Sequence, residues 1–152
     1  MTAPQALLGA ILLIAAGWDI ARRRIPNPLV FLGLAMGLGL GLVHEGSSGL
    51  QRSLFGVVCA FALTFPQWRM GWMGGGDAKL LMVVGAFLGA RAAVDVLLWA
   101  MVANGIVSLG LALTRSTLAR MGSVYPLDVR VPMAVAIAVG LPLALRIPLI
   151  PT

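Results

Sequence analysis

The sequence predicts an all-α, polytopic membrane protein with about six transmembrane helices, and three observations point there. Sixty per cent of the 152 residues are hydrophobic and only 11% are charged, against roughly a quarter charged in ordinary soluble domains. Mean hydropathy is +0.99, so the apolar surface exceeds what a water-soluble core of this size can bury. The apolar residues also fall in runs approaching or reaching the ~17–25 residues that cross a bilayer. Short segments rich in Arg, Pro and Gly separate the runs. No stretch is polar and long enough to form a separate soluble unit, which predicts one transmembrane domain over 1–152.

The first run covers residues 4–20. Pro4 suits a first helical turn, where a missing N–H costs little. No basic segment precedes this run, and it ends at Trp18-Asp19 rather than at a small-residue cleavage site. It therefore reads as a retained helix rather than a removed signal. Arg22, Arg23, Arg24 and then Ile25-Pro26-Asn27-Pro28 interrupt the pattern. The second run, 29–43, contains Gly33, Gly37, Gly39 and Gly41. Gly33 and Gly37 make a small-xxx-small face that lets helices approach closely in lipid. A polar loop is expected at 44–49, and a third run at 50–65, stopped by Pro66. The segment 67–76 reads as a loop with Trp68, Trp72 and three consecutive glycines. A fourth run covers 77–90, a fifth 92–113 and a sixth 131–150, with Arg115, Arg120 and Arg130 between the last two.

Six crossings put both termini on one side of the membrane. Arg22, Arg23, Arg24, Arg69, Lys79, Arg115, Arg120 and Arg130 then share one face, and Arg52, Arg91 and Arg146 share the other. The positive-inside rule favours a multi-pass protein with both termini outside. Asp19 then ends the first helix, and Asp77 begins the fourth, at the same cytoplasmic face.

The net charge of +6 does not indicate nucleic acid, because the basic residues form neither a stripe nor a binding motif. Anionic lipid head groups are the more economical partner for the cytoplasmic arginines. Cys59 has no second cysteine to pair with and reads as a small buried hydrophobe. His44 reads as a solvated loop residue. There is no zinc pattern and no phosphate-binding loop, so neither metal nor cofactor is expected.

Five acids remain: Asp19, Glu45, Asp77, Asp95 and Asp128. Glu45 and Asp128 fall in loops. Asp95 follows Arg91 by four positions, a spacing that brings both onto one helix face as a structural pair. Asp19 and Asp77 each stand where an apolar run meets a Pro- or Gly-rich element. Acids at a membrane edge are costly to place and are functional candidates for that reason. Two plainer readings stay open at this point. Asp19 can be an ordinary helix-end residue, and Asp77 can cap the helix that follows it.

The residues around both acids carry a resemblance. Asp19-Ile-Ala-Arg-Arg-Arg-Ile25-Pro26-Asn27 resembles the first element of the type IV prepilin peptidase family. Gly74-Gly75-Gly76-Asp77-Ala78-Lys79-Leu80 resembles its second, the GxGD element. The segment from Val131 to Gly140 is similar to the Pro-containing sixth helix found there, with Met133 where an aromatic is frequent. A lone GxGD is weak. Both elements in order, on one predicted side of a six-helix chain, are specific.

The resemblance implies an aspartic endopeptidase that removes the leader from prepilin-like precursors at the cytoplasmic face. It implies Asp19 and Asp77 as the catalytic pair, with Pro26, Asn27, Gly74, Gly76 and Lys79 in support. The loop after the first helix is too short for the methyltransferase region of the long members. The likeness is therefore to the short forms, such as those serving tight-adherence (Flp) pili or archaeal flagellins. Two other function classes remain in contention: a small transporter or channel, in which the acids line an ion path, and a structural subunit of a pilus or secretion assembly.

Overall fold

A computed structural model describes residues 3–22, 25–120, 133–147 and 149. Among the described residues every regular element is a helix: α1 (Ala3–Arg22), α2 (Asn27–Arg69), α3 (Gly75–Leu88), α4 (Ala90–Arg120) and α5 (Met133–Arg146). Three stretches are long and apolar enough to cross a membrane: Ala3–Arg22, Asn27–Arg69 and Ala90–Gly110. Their outward faces carry large apolar side chains such as Leu13, Phe31, Phe55, Val58 and Ile106, as lipid contact requires. The chain has the character of a membrane protein.

The helix α2 corrects the expected division of the chain. The segment 44–49 is not an irregular polar loop. It is helical on both sides of Gly46, whose φ of 64° and ψ of −142° lie outside helical values. Gly41 lies against Ser53 Oγ and the Gly49 carbonyl. In a straight helix residues 41 and 53 stand about 18 Å apart, so the chain must reverse at Gly46. The element is a hairpin of two arms, and one glycine in a left-handed conformation makes the reversal. Glu45 and Arg52 meet across the tip at 2.8 Å, both largely exposed. His44 is exposed as expected, but it sits on a helix.

Pro66 does not stop the second arm, which continues to Arg69. Proline is tolerated in an apolar helix where side chains satisfy nearby carbonyls. Around it Gln67 Nε2 donates to the Leu63 carbonyl at 3.0 Å and Thr64 Oγ1 to the Ala60 carbonyl at 2.7 Å, although neither bond reaches the Ala62 carbonyl that the proline leaves without its helical donor. Cys59, expected to be buried, is half-exposed, because the buried stripe of this arm is Gly49, Ser53, Gly56, Ala60 and Thr64.

The shortest path to the site runs through α3. Leu80, Leu81, Val83, Val84 and Ala86 are fully buried, and α3 contacts every other helix. A helix apolar all round is a core helix. The small residues of α2 make this packing possible. Gly33 faces Val83, Gly37 faces Ala86 and Phe87, and Gly56 lies against the Gly85 backbone. The order of these contacts makes the first arm of α2 parallel to α3 and the second antiparallel. Gly89, at φ 85°, separates α3 from α4. Asp95 is buried one turn after Arg91. At the far side Gly140 lets α5 approach Val96 and Ala100 of α4, and Trp99 Nε1 donates to the Ile147 carbonyl at 3.0 Å. Val131 and Pro132, the start of the expected sixth run, and Asp128 and Arg130 of the expected loop lie outside the described residues.

Candidate active site

The two acids arrive from different directions. Asp19 stands in the last turn of α1 and is half-buried, while Asp77 stands in the first turn of α3 and is 9% exposed. Both line one cavity of about 600 Å³. The local sequence explains how Asp77 is set. Gly74 precedes the helix in an extended conformation, φ −69° and ψ 143°. The Asp77 N–H donates to the Gly74 carbonyl at 3.1 Å. The Asp77 carboxylate in turn folds back over Gly74 and accepts from its backbone N–H.

Each glycine of the triplet has its own neighbour. A Cβ on Gly74 would sit 2.7 Å from Asp77 Oδ2. One on Gly75 would sit 3.1 Å from Trp68 Nε1, and one on Gly76 would sit 2.9 Å from Ile25 Cδ1. Gly76 thus lets the segment after α1, which follows Asp19, close onto the start of α3. The expected support residues divide into two groups. Gly74, Gly76 and Lys79 line the cavity with the acids. Pro26 and Asn27 line a neighbouring, more open recess of about 560 Å³ with Trp18, Arg22 and Ile25. Pro26 precedes α2 with φ −66° and accepts from Leu29 N at 3.1 Å. Asn27 reaches the other group directly, because its Oδ1 accepts from Lys79 Nζ at 2.8 Å. One hydrogen bond therefore ties the Ile-Pro-Asn element to the Gly-Asp element across 52 residues of sequence.

The rest of the cavity wall was not assigned to the site from sequence, although Ile25, Trp68, Gly75 and Ala78 stand in or beside the two motif elements. It consists of Ile25, Phe61, Thr64, Phe65, Trp68, Gly75, Ala78 and Met82. Phe61, Phe65 and Trp68 recur at helical spacing just before the glycine triplet, a signal that is readable once Pro66 is allowed inside the helix. Phe65 packs at a tilt against Phe61 and Trp68, with ring centroids 5.2 Å and 5.8 Å apart. The cavity thus combines two carboxyl groups, exposed glycine backbone and an apolar aromatic wall. That set suits a reaction on an extended peptide with an apolar flank, and a pair of carboxyls brought together in one site is suited to sharing one proton.

Neither the curated proteins nor the solved structures give a match to the chain. The family model for the type IV leader peptidase family matches residues 6–109, more than half of the chain. The match spans Asp19, Pro26, Asn27, Gly74, Gly76, Asp77 and Lys79 and ends before α5. The chain belongs to the type IV leader peptidase family and is a peptidase of that kind.

Proposed function

We propose that the protein is an aspartic endopeptidase of the inner membrane that removes the leader from prepilin-like precursors at the cytoplasmic face. Asp19 and Asp77 are its catalytic pair. The observation that carries the reading is their presence on one cavity wall, from positions 58 residues apart in the sequence and beside bare glycine backbone. The proposed topology counts the two arms of α2 separately. It gives six crossings, both termini outside, and the segments 22–27 and 70–74 at the cytoplasmic face.

The proposed reaction uses the pair as one unit. One carboxylate takes a proton from a water molecule, and the oxygen forms a bond to the scissile carbonyl carbon. The protonated partner gives its proton to the carbonyl oxygen. The resulting diol collapses as the C–N bond breaks, with a proton passing to the leaving nitrogen. The pair returns to its singly protonated state, so its titration belongs to both acids together. Lys79 and Asn27 hold the Asp19 and Asp77 elements together, Pro26 sets the entry to α2, and Gly74 and Gly76 keep space for the carboxylate and for Ile25.

Co-expression with a leader-bearing precursor tests this reading, using gel shift and N-terminal sequencing. Wild type is expected to process the precursor, while Asp19→Asn and Asp77→Asn accumulate in the membrane without processing it. Processing that survives both substitutions refutes the pair.

A further inference from the structure

The aromatic face of the second arm of α2 is unlike the rest of the protein's apolar surface. Phe61, Phe65 and Trp68 are 48%, 41% and 48% exposed, yet all three line the cavity that holds the two acids. Phe55, the remaining aromatic of the same arm, is 68% exposed and does not line it. Spacings of four and three residues stack the rings along one helix face, and seven residues at helical rise extend over about 10 Å. One end of the stack is fixed beside the chemistry. The Trp68 indole lies 3.1 Å from where a Gly75 Cβ would stand, two residues before Asp77. The other end, Phe61, lies nearly two turns further toward the hairpin tip.

The wall offers no charge. No ionisable side chain occurs between Phe61 and Trp68. The Thr64 hydroxyl already donates to the Ala60 carbonyl at 2.7 Å. Met82 continues the apolar lining from α3. A basic leader finds no partner on such a surface. An apolar helix does, because aromatic side chains gain both buried area and ring packing when covered.

We infer that the Phe61–Phe65–Trp68 face is the binding site for the apolar segment that follows the scissile bond in the substrate, an inference that rests on the leader-peptidase reading above. The substrate's apolar helix lies along Phe61 and Phe65. Its unwound start passes Trp68 and the Gly74–Gly76 backbone, which brings the peptide bond between the acids. The leader then leaves on the cytoplasmic side.

Two measurements test it in membranes. In the first, cleavage kinetics of a leader-bearing precursor are compared for wild type, Phe61→Ala, Phe65→Ala and Phe55→Ala. The expected result is a KM raised about tenfold or more for Phe61→Ala and Phe65→Ala, the scale of one lost buried aromatic contact, with kcat nearly kept and Phe55→Ala unchanged. In the second, a benzophenone amino acid replaces Phe65 or Phe55 in an Asp19→Asn protein, which keeps the precursor intact. Light is expected to join the precursor to position 65 and not to position 55. This arm reads binding even where an alanine variant is poorly folded. Unaltered KM in both cavity variants, or cross-linking of position 65 to lipid alone, overturns the inference while the peptidase reading stands. A wild-type protein that cleaves no precursor overturns both.

Discussion

Gly74→Ala separates the geometry of the site from the stability of the fold. Gly74 has φ −69° and ψ 143°, values open to any L residue, so alanine brings no backbone strain. Removing a glycine from the unfolded chain is worth about 0.4–1 kcal/mol in favour of folding where the native backbone allows it. The added methyl meets only one group, the Asp77 carboxyl, with Oδ2 at 2.7 Å and Cγ at 3.7 Å. Comfortable contact needs separations nearer ~3.5 Å. The carboxylate must therefore move by more than about half an ångström, or rotate off its rotamer at about 0.5–1.5 kcal/mol. A misplacement of about 1 Å in a catalytic group can cost about a hundredfold in rate.

The expected outcome is a kcat reduced roughly 10- to 100-fold, with membrane abundance and thermal stability in detergent equal to or above wild type. Gly71→Ala should do the reverse. Gly71 has φ 76° and open space around its would-be Cβ, so alanine there costs about 1 kcal/mol in strain and leaves kcat alone. Precursor cleavage and detergent melts, run side by side on both variants, give a crossed result. Wild-type kcat in Gly74→Ala, or a loss of activity that merely follows a loss of protein, would refute the reasoning.

Three further outcomes follow from the same coordinates. Lys79→Met removes the bond to Asn27 Oδ1 and is expected to lower cleavage several-fold while costing about 1 kcal/mol or less in stability, as the bond is exposed. Asn27→Ala should add little on top of it in a double-mutant cycle. Gly37→Val places a side chain where even a Cβ stands 2.8 Å from Ala86 Cβ and Phe87 Cδ2. It should destabilise by about 1–3 kcal/mol in detergent melts, whereas Gly39→Val, with nothing within 4 Å, should not. In a Cys59→Ala background, Ser48→Cys at the exposed hairpin tip should react with an impermeant maleimide in intact cells, and Met70→Cys only after permeabilisation. The opposite pattern reverses the orientation.

What was legible in the sequence has a physical reason, and so does what was not. Gly33 and Gly37 were readable as a packing face because small residues at that spacing have few other uses in an apolar helix, and α3 lies on them. Asp19 and Asp77 were readable because charge is rare and costly in such a chain. The reversal between the second and third runs was legible in the polar segment 44–49, but not that one glycine makes it while the backbone on both sides stays helical. Pro66 misled in the opposite sense, because a proline reads as a helix end, whereas the helix here continues through it to Arg69. The cavity wall was invisible for a different reason. Phe61 and Phe65 look the same in sequence as lipid-facing Phe55, and only the tertiary placement beside Asp77 distinguishes them. The Lys79–Asn27 bond likewise joins residues that each motif presents separately.

The length of α3 bears on how water reaches acids in so apolar a chain. Its 14 residues rise about 21 Å, short of the ~30 Å hydrocarbon core. The helix cannot reach both interfaces. If Gly89 lies near the outer interface, as the proposed topology requires, Gly75 falls inside the cytoplasmic boundary by about 9 Å and Asp77, two residues further along the helix, by about 12 Å. The second arm of α2 is longer and passes this level, and the turn at 70–74 brings the chain back to the start of α3. A recess follows from that mismatch, and the cavity between Asp19 and Asp77 occupies it. Three exposed tryptophans, Trp18, Trp68 and Trp72, cluster at this end, where indoles favour the boundary between lipid and water. Arg22 lies over the Trp18 ring at 5.4 Å, a cation held at the same level. A bilayer-length α3 would lift Asp77 into bulk water, away from an apolar helix still in the membrane. On the proposed reading, a short one keeps the acids at the depth where the apolar segment of a precursor ends and its unwound leader begins.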